Sequence, residues 1–255
     1  MKEELLKKLE SEDKREVREA IEALEEFSDP EVVRAVVKAL IAKKSKAVLE
    51  AGKSLLISFR GDPKVVCEEV ISLFEHPEPK LRQSAIDILA SRGDLCLDVV
   101  RERLIENEDY NMKKFALDIL ALVGSERALE ELAPLLEDEN PNVSMSALEY
   151  LRNFSDFKDR VVELLVRVIP KIKDMYGLTT LASTVIYGEI KDERLVAPLR
   201  EKLSELSDPM EKHWVYKMLI FLGDRSVYDE ALENARAVGM ESDIQKDMEI
   251  FGGQE

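Results

Sequence analysis

The sequence predicts an all-α protein, a right-handed α-α solenoid of about seven helical hairpins with terminal cap helices. Three observations carry that prediction. The first is a period. A small or turn-forming residue followed by a polar one recurs at Ser28-Asp29, Gly61-Asp62, Gly93-Asp94, Gly124-Ser125, Ser155-Asp156, Gly188-Glu189 and Gly223-Asp224. Successive second members lie 33, 32, 31, 31, 33 and 35 residues apart. The second is a set of columns at helical spacing upstream of each turn. The third is the lack of any stretch with sustained strand alternation.

The columns define the first helix of each repeat. Eight positions before the turn stands a small residue in most copies: Ala20, Ala85, Ala116 and Ala147, then the larger Thr180 and Val215, with Gly52 joining if one residue is inserted. Four residues later come Leu24, Leu56, Leu89, Leu120, Leu151, Thr184 and Leu219. Three further on come Phe27, Phe59, Arg92, Val123, Phe154, Tyr187 and Leu222. Steps of four and three place all three columns on one helical face. The small residue lets a neighbouring helix approach, and the larger ones fill the space between.

After each turn a second apolar-periodic stretch follows: Val33, Val36, Val37 and Leu40; Val66, Val70 and Phe74; Leu132, Leu135 and Leu136; Val162, Leu165, Val168 and Ile169. Glycine at the break frees the backbone for positive φ. Asp29 and Asp62, each before a proline, are placed to cap the second helix. Proline-containing links such as 75–79, 139–141 and 207–209 separate one hairpin from the next. The reading is one repeat domain over 1–255, with repeats at 13–43, 44–76, 77–107, 108–138, 139–173, 174–206 and 207–238. Leu5, Leu6 and Leu9 predict an N-terminal cap helix; Met240, Ile244, Met248 and Phe251 predict a C-terminal cap over 239–251, after which the tail 252–255 frays.

The repeat resembles the HEAT family, in particular the short HEAT-like repeat found in phycobilin lyases. Leu81-Arg82, Ala85, Leu89 and Gly93-Asp94 reproduce its pattern best, followed by Met112-Lys113, Ala116, Leu120 and Gly124. Leu132-Ala133-Pro134-Leu135 and Val196-Ala197-Pro198-Leu199 echo it in the second helix. The resemblance covers about 13–238. It implies a binding scaffold. One enzyme of the family, deoxyhypusine hydroxylase, holds two irons with His-Glu pairs, and this chain has no His-Glu dipeptide. Bilin attachment is disfavoured as well, because the lyase likeness is confined to scaffolding that non-enzymes share.

Composition narrows the partner. Net charge is −16 with 35% charged residues, which disfavours duplex nucleic acid and anionic membranes and favours a protein partner of basic or mixed charge. Scarce Gln beside abundant Glu and Lys is a mix seen in thermophile proteins. Cys67 and Cys96 are the only cysteines and are expected to be reduced thiols, because two cysteines form no disulfide framework. No apolar stretch approaches a membrane span and no signal peptide opens the sequence, so the expected address is cytoplasmic.

Motifs that could carry chemistry are weak. Gly52-Lys53-Ser54 matches the end of a phosphate-binding loop, but Ala47 stands where that loop needs glycine and no strand precedes it. His76 and His213 have no nucleophile at a meaningful spacing. Arg34, Lys38, Arg101, Arg103, Arg127, Arg160, Arg167, Arg194 and Arg200 lie near second helices but interleave with glutamates, which reads as a salt-bridged face and not a phosphate track. No catalytic residue, cofactor or metal ligand is expected, and the chain is read as non-catalytic.

One segment departs from the rest. From Met175 to Gly188 no residue is charged, and the next first helix carries His213, Trp214, Tyr216 and Phe221. Aromatics are otherwise sparse, at 6%. Large rings with polar tips suit protein interfaces, so Tyr176, Tyr187, His213, Trp214 and Tyr216 are the expected partner-binding residues. Core packing at the junction of repeats six and seven, or a homo-oligomer contact, would use the same residues. The function expected is a protein-interaction scaffold working through a concave wall of second helices. The alternatives are a nucleic-acid-binding or DNA-repair protein, and a small-ligand binder or enzyme built on the sixth repeat.

Overall fold

The computed structural model describes residues 1–252 and is helical, with no strand among them. Sixteen α-helices are joined by short 3-10 turns. The chain groups into two compact units that meet in sequence at Glu131 and Leu132. Gly252 closes the last helix; the remainder of the tail expected to fray lies outside the described residues.

The first unit begins with α1 (Lys2–Lys8), the expected N-terminal cap, which lies on α2 (Lys14–Leu24) and buries Leu9. Then come α3 (Pro30–Lys43), α4 (Lys46–Ser58), α5 (Pro63–Ile71), α6 (Pro79–Arg92), α7 (Leu97–Val100, continued as a π turn over Arg101–Ile105), α8 (Tyr110–Val123) and α9 (Glu126–Leu132). First helices α2, α4, α6 and α8 pack in sequence order; second helices α3, α5 and α7 form a parallel row. The unit is thus an α-solenoid. Ala20, Gly52, Ala85 and Ala116 are buried between neighbours, and Leu24, Leu56, Leu89 and Leu120 are fully occluded. Occluding each leucine contributes roughly 1.5–3 kcal/mol. Leu40 packs so closely on Gly52 that a methyl group there would sit 2.5 Å from its Cδ2.

The second unit repeats the arrangement with α10 (Pro141–Tyr150), α11 (Lys158–Val168), α12 (Met175–Tyr187), α13 (Val196–Glu205), α14 (Pro209–Phe221), α15 (Tyr228–Val238) and α16 (Glu241–Gly252). First helices α10, α12 and α14 again pack in order. Ala147, Leu151, Thr184, Val215 and Leu219 are buried in the expected columns. Helix α16 covers α14 and α15, burying Ile244 and setting Phe251 edge-on to Phe221 at 5.2 Å, as expected for a C-terminal cap.

Three details depart from expectation. Positive φ occurs at Gly93, Gly124 and Gly223 but not at Gly61 or Gly188. At Gly61 a side chain would run into the Ser28 carbonyl, and at Gly188 it would reach the Arg152 Cβ at 2.9 Å, so close approach is what demands glycine there. The left-handed residue of that turn is Glu189. Asp62 caps α5 by accepting from the Lys64 N–H, but the Asp29 carboxylate leaves the α3 terminus to pair with Lys2 at 3.0 Å.

The cysteines are the clearest correction. They are not reduced thiols: Cys67 on α5 and Cys96 in the turn before α7 form a disulfide, with Cα atoms 5.4 Å apart and both side chains fully buried. Their sequence separation of 29 is close to one repeat, which sets them on adjacent second-helix rows. That offset was the readable signal for pairing.

Candidate partner-binding surface

Helices α10 and α12 are unusually poor in charge. Glu149 is the only charged residue of α10, and α12 has none, whereas the equally short α2 has six. The threonine hydroxyls of α12 bond to backbone carbonyls. Asp174 caps it, accepting from the Gly177 N–H at 2.8 Å. Thr179 and Thr180 both donate their hydroxyls to the Tyr176 carbonyl at 2.9 Å. Thr184, standing where other repeats have leucine, donates to the carbonyls of Thr180 at 2.9 Å and Leu148 at 3.1 Å. A threonine is tolerated in that dry column because its hydroxyl finds acceptors on its own helix and on α10.

The tyrosines at the two ends of α12 face solvent: Tyr176 is 56% exposed and Tyr187 78%. Thr179, Thr180 and Ser183 between them are half-buried. Trp214, on α14, is also half-buried. The other two expected residues turn inward. Tyr216 is 6% exposed, with its hydroxyl 3.4 Å from Glu230, and burial pushes its phenol above the usual tyrosine range. Tyr187 outside and Tyr216 inside therefore do not line one pocket.

His213 is fully buried, edge-on to Trp214, and its Nε2 lies 3.3 Å from the Asp243 carboxylate of α16. Lys217 bridges Asp243 at 2.7 Å and Asp247 at 2.8 Å. Burial dominates over the neighbouring carboxylates and holds the imidazole below its ordinary pKa, so it is neutral at pH 7. Its Nδ1 is buried without a partner. The group ties α14 to the cap helix and presents nothing outward.

Most of the arginines on or near second helices have partners within the chain. Arg34 pairs with Glu69, Arg101 with Asp98 and Glu131, and Arg127 with Asp98; in the second unit Arg160 pairs with Glu163, Arg167 with Glu137, Arg194 with Asp159 and Asp192, and Arg200 with Asp224. Arg194 holds the Asp192 carboxyl at about 2. Lys53, from the Gly-Lys-Ser match, lies within α4 and pairs with Asp87 at 2.7 Å. His76 serves the link before α6: its Nδ1 accepts from the Glu78 N–H and its carbonyl from Arg82.

The first unit has open grooves. One of about 630 Å³ lies between α1 and α3, and one of about 360 Å³ between α4 and α6. Among the described residues, no cluster of three or more His, Cys, Asp or Glu side chains could hold a metal ion, and no helix is long and apolar enough to cross a membrane.

Residues 97–174 match the family model of HEAT repeats. This stretch is similar to HEAT repeats. It runs from α7 through α11 and ends where α12 begins. No curated protein matches the chain. Among solved structures, one engineered protein is 18% identical over 74% of this chain and 96% of its own, with a TM-score of 0.35. A second engineered protein is 16% identical over 98% and 78%, with a TM-score of 0.46. The complex of CpcE and CpcF of phycocyanin lyase from Nostoc sp. PCC7120 is 15% identical over 96% and 94%, with a TM-score of 0.36.

Proposed function

We propose that the chain is a non-catalytic protein-interaction scaffold whose contact surface in the second unit is the outer face of α10 and α12. One observation carries this: in a chain that is 35% charged, these two first helices hold a single charged residue, and tyrosines stand exposed at both ends of α12. A surface this poor in charge, with exposed rings, loses little on desolvation and gains area. Within the expected set, Tyr176 and Tyr187 make the contact and Trp214 borders it. His213 and Tyr216 hold α14 in place behind them. The net charge of −16 steers a basic or mixed-charge partner toward the scaffold at low salt. The ion pairs that occupy the arginines weigh against nucleic-acid binding, since phosphate contacts need free cations.

The test is capture from native lysate at low and high salt with wild-type chain and with Tyr176→Glu/Tyr187→Glu. The scaffold reading requires a protein captured by the wild type and lost with the variant. Equal capture by both, or capture of none, rejects it.

A further inference from the structure

The groove of about 360 Å³ between α4 and α6 joins an apolar floor to a rim of lysines that the chain leaves unmatched. Leu40 and Leu81, both buried, and the half-buried Leu49 form the floor. Lys44, Lys46 and Lys80 line the rim and are exposed. Among the described residues none of the three has a carboxylate partner, and the first turns of α4 and α6 contain no acid. Ser45 borders this groove and also a pocket of about 390 Å³ lined by Lys14, Arg15, Arg18 and Ala47, with no carboxylate in its wall. Arg15 is held by Glu19 and Arg18 by Glu22, while Lys14 is free.

The acids of the α4–α6 groove do not answer these lysines. Asp87 is taken by Lys53 at 2.7 Å and by the Gln83 amide at 2.9 Å. Glu50 lies in the field of the same Lys53. Only Glu78 remains, against Lys44, Lys46, Lys80 and, past Ser45, Lys14. Ammonium groups gathered in this way repel one another, and an incoming anion relieves them. We infer that this groove docks an acidic peptide segment of a protein partner, with its carboxylates on Lys44, Lys46 and Lys80 and an apolar side chain on Leu40, Leu49 and Leu81. The floor selects a peptide over nucleic acid. A phosphate backbone leaves the leucines unused and meets Glu50 and Glu78 along its path. Lysine heads on flexible stems suit carboxylates whose spacing varies along a peptide. The net charge of −16 repels such a segment at long range, but at physiological ionic strength that field fades within about 8 Å, and inside the groove the lysines dominate. The occupant is therefore an acidic run within a partner of mixed charge. The site belongs to the first unit and stands independently of the tyrosine face.

The probe is a fluorescein-labelled peptide, Glu-Asp-Leu-Glu-Asp-Leu-Glu, titrated by fluorescence anisotropy with wild type, Lys46→Glu/Lys80→Glu and Lys114→Glu/Lys246→Glu. The last variant makes the same change of net charge at exposed lysines outside the groove. The expected result is binding by wild type, weakened at least tenfold by K46E/K80E and within twofold of wild type for K114E/K246E. The same peptide with serine for leucine should bind less tightly, and an oligothymidylate of equal charge should not displace the probe. An acid in the first turn of a helix favours the helix dipole, so K46E/K80E should fold with a Tm no lower than wild type. Wild type also gives a readout that needs no variant: the bound peptide should protect Lys44, Lys46 and Lys80, and not Lys114, from acetylation read by mass spectrometry. No binding up to millimolar protein overturns the inference, as does equal weakening by both variants or acetylation that the peptide leaves unchanged. Displacement by the oligothymidylate at equal concentration overturns it in favour of a general polyanion site. None of these outcomes touches the scaffold reading of α10 and α12, which capture with the Tyr176→Glu/Tyr187→Glu variant decides.

Discussion

Replacing Arg92 by methionine tests whether one side chain can splice two repeats by capping. In the column three residues after the buried leucines, most repeats place an apolar side chain, and Arg92 is the only charged member. Its guanidinium Nη1 reaches back to the preceding first helix and donates to the carbonyls of Leu56 at 3.1 Å, Ile57 at 3.0 Å and Phe59 at 3.2 Å. Helix α4 needs this, because Phe59 leaves it in an extended conformation, ψ 125°, and its last carbonyls are otherwise open. A charge-assisted hydrogen bond contributes about 1.5–3 kcal/mol, and a cation at a helix C-terminus adds about 0.3–1 kcal/mol. Half-burying the guanidinium opposes this, and the same burial lowers its pKa. Methionine keeps the aliphatic stem and removes the donors, so the net loss is about 2 kcal/mol, a fall in Tm of about 4–8 °C. Arg92→Lys should fall between. Urea and thermal unfolding give the magnitude, and amide exchange gives the location: protection should drop at the end of α4 and not in α8. A loss under about 0.5 kcal/mol, or exchange that rises evenly along the chain, would refute the capping argument.

Two further outcomes are expected. Burial depresses the His213 pKa, so the unfolded chain takes up that proton first as the pH falls; stability should be full above about pH 6.5 and decline below it, with Asp243 adding its own loss only in the range of carboxylate titration. Urea midpoints measured across pH 7 to 5 should therefore slope in wild type and flatten in His213→Asn, and a wild-type midpoint that does not move over that range contradicts the buried-histidine account. Removing the disulfide with Cys67→Ala/Cys96→Ala should lower stability by about 3.5 kcal/mol for a loop of this length, and mass spectrometry after alkylation without reductant should find no free thiol in wild type.

The period and the columns were legible because stacking repeats each time the same demand. A small residue must sit where helices cross, and Leu24, Leu56, Leu89, Leu120, Leu151 and Leu219 must fill what is left. The charge-free helix was legible for the complementary reason, that a helix lacking charge stands out in a chain rich in it. What stayed hidden depends on neighbours that periodicity does not name. His213 and Tyr216 are inward because α14 is enclosed by α12, α13, α15 and the cap helix, so most of its circumference is covered. Arg92 read as an irregularity in an apolar column, since a backbone acceptor on the previous repeat leaves no trace in sequence. The disulfide stays hidden because two cysteines make no framework of their own, and only the stacking of adjacent repeats brings Cys67 and Cys96 together.

The ion pairs bear on where a partner can dock. Arg34–Glu69, Lys53–Asp87 and Arg127–Asp98 in the first unit, and Arg167–Glu137 and Arg194–Asp159 in the second, each span about one repeat. Exposed pairs of this kind contribute roughly 0–1 kcal/mol each, so their sum does not explain why the repeats stack. What they do is consume cations. With 37 basic residues against 53 acidic ones, every arginine matched within the chain leaves the surplus of carboxylates facing outward. Such a surface attracts a basic partner from a distance but must be desolvated at contact, which is costly for carboxylates without bonded partners. Attraction and contact thus favour different surfaces. On the scaffold function proposed above, the acidic faces would set the encounter rate and its salt dependence, while the outer face of α10 and α12, where desolvation is cheapest, would set the lifetime. Raising salt should therefore slow association with a basic partner and leave dissociation from the tyrosine face nearly unchanged.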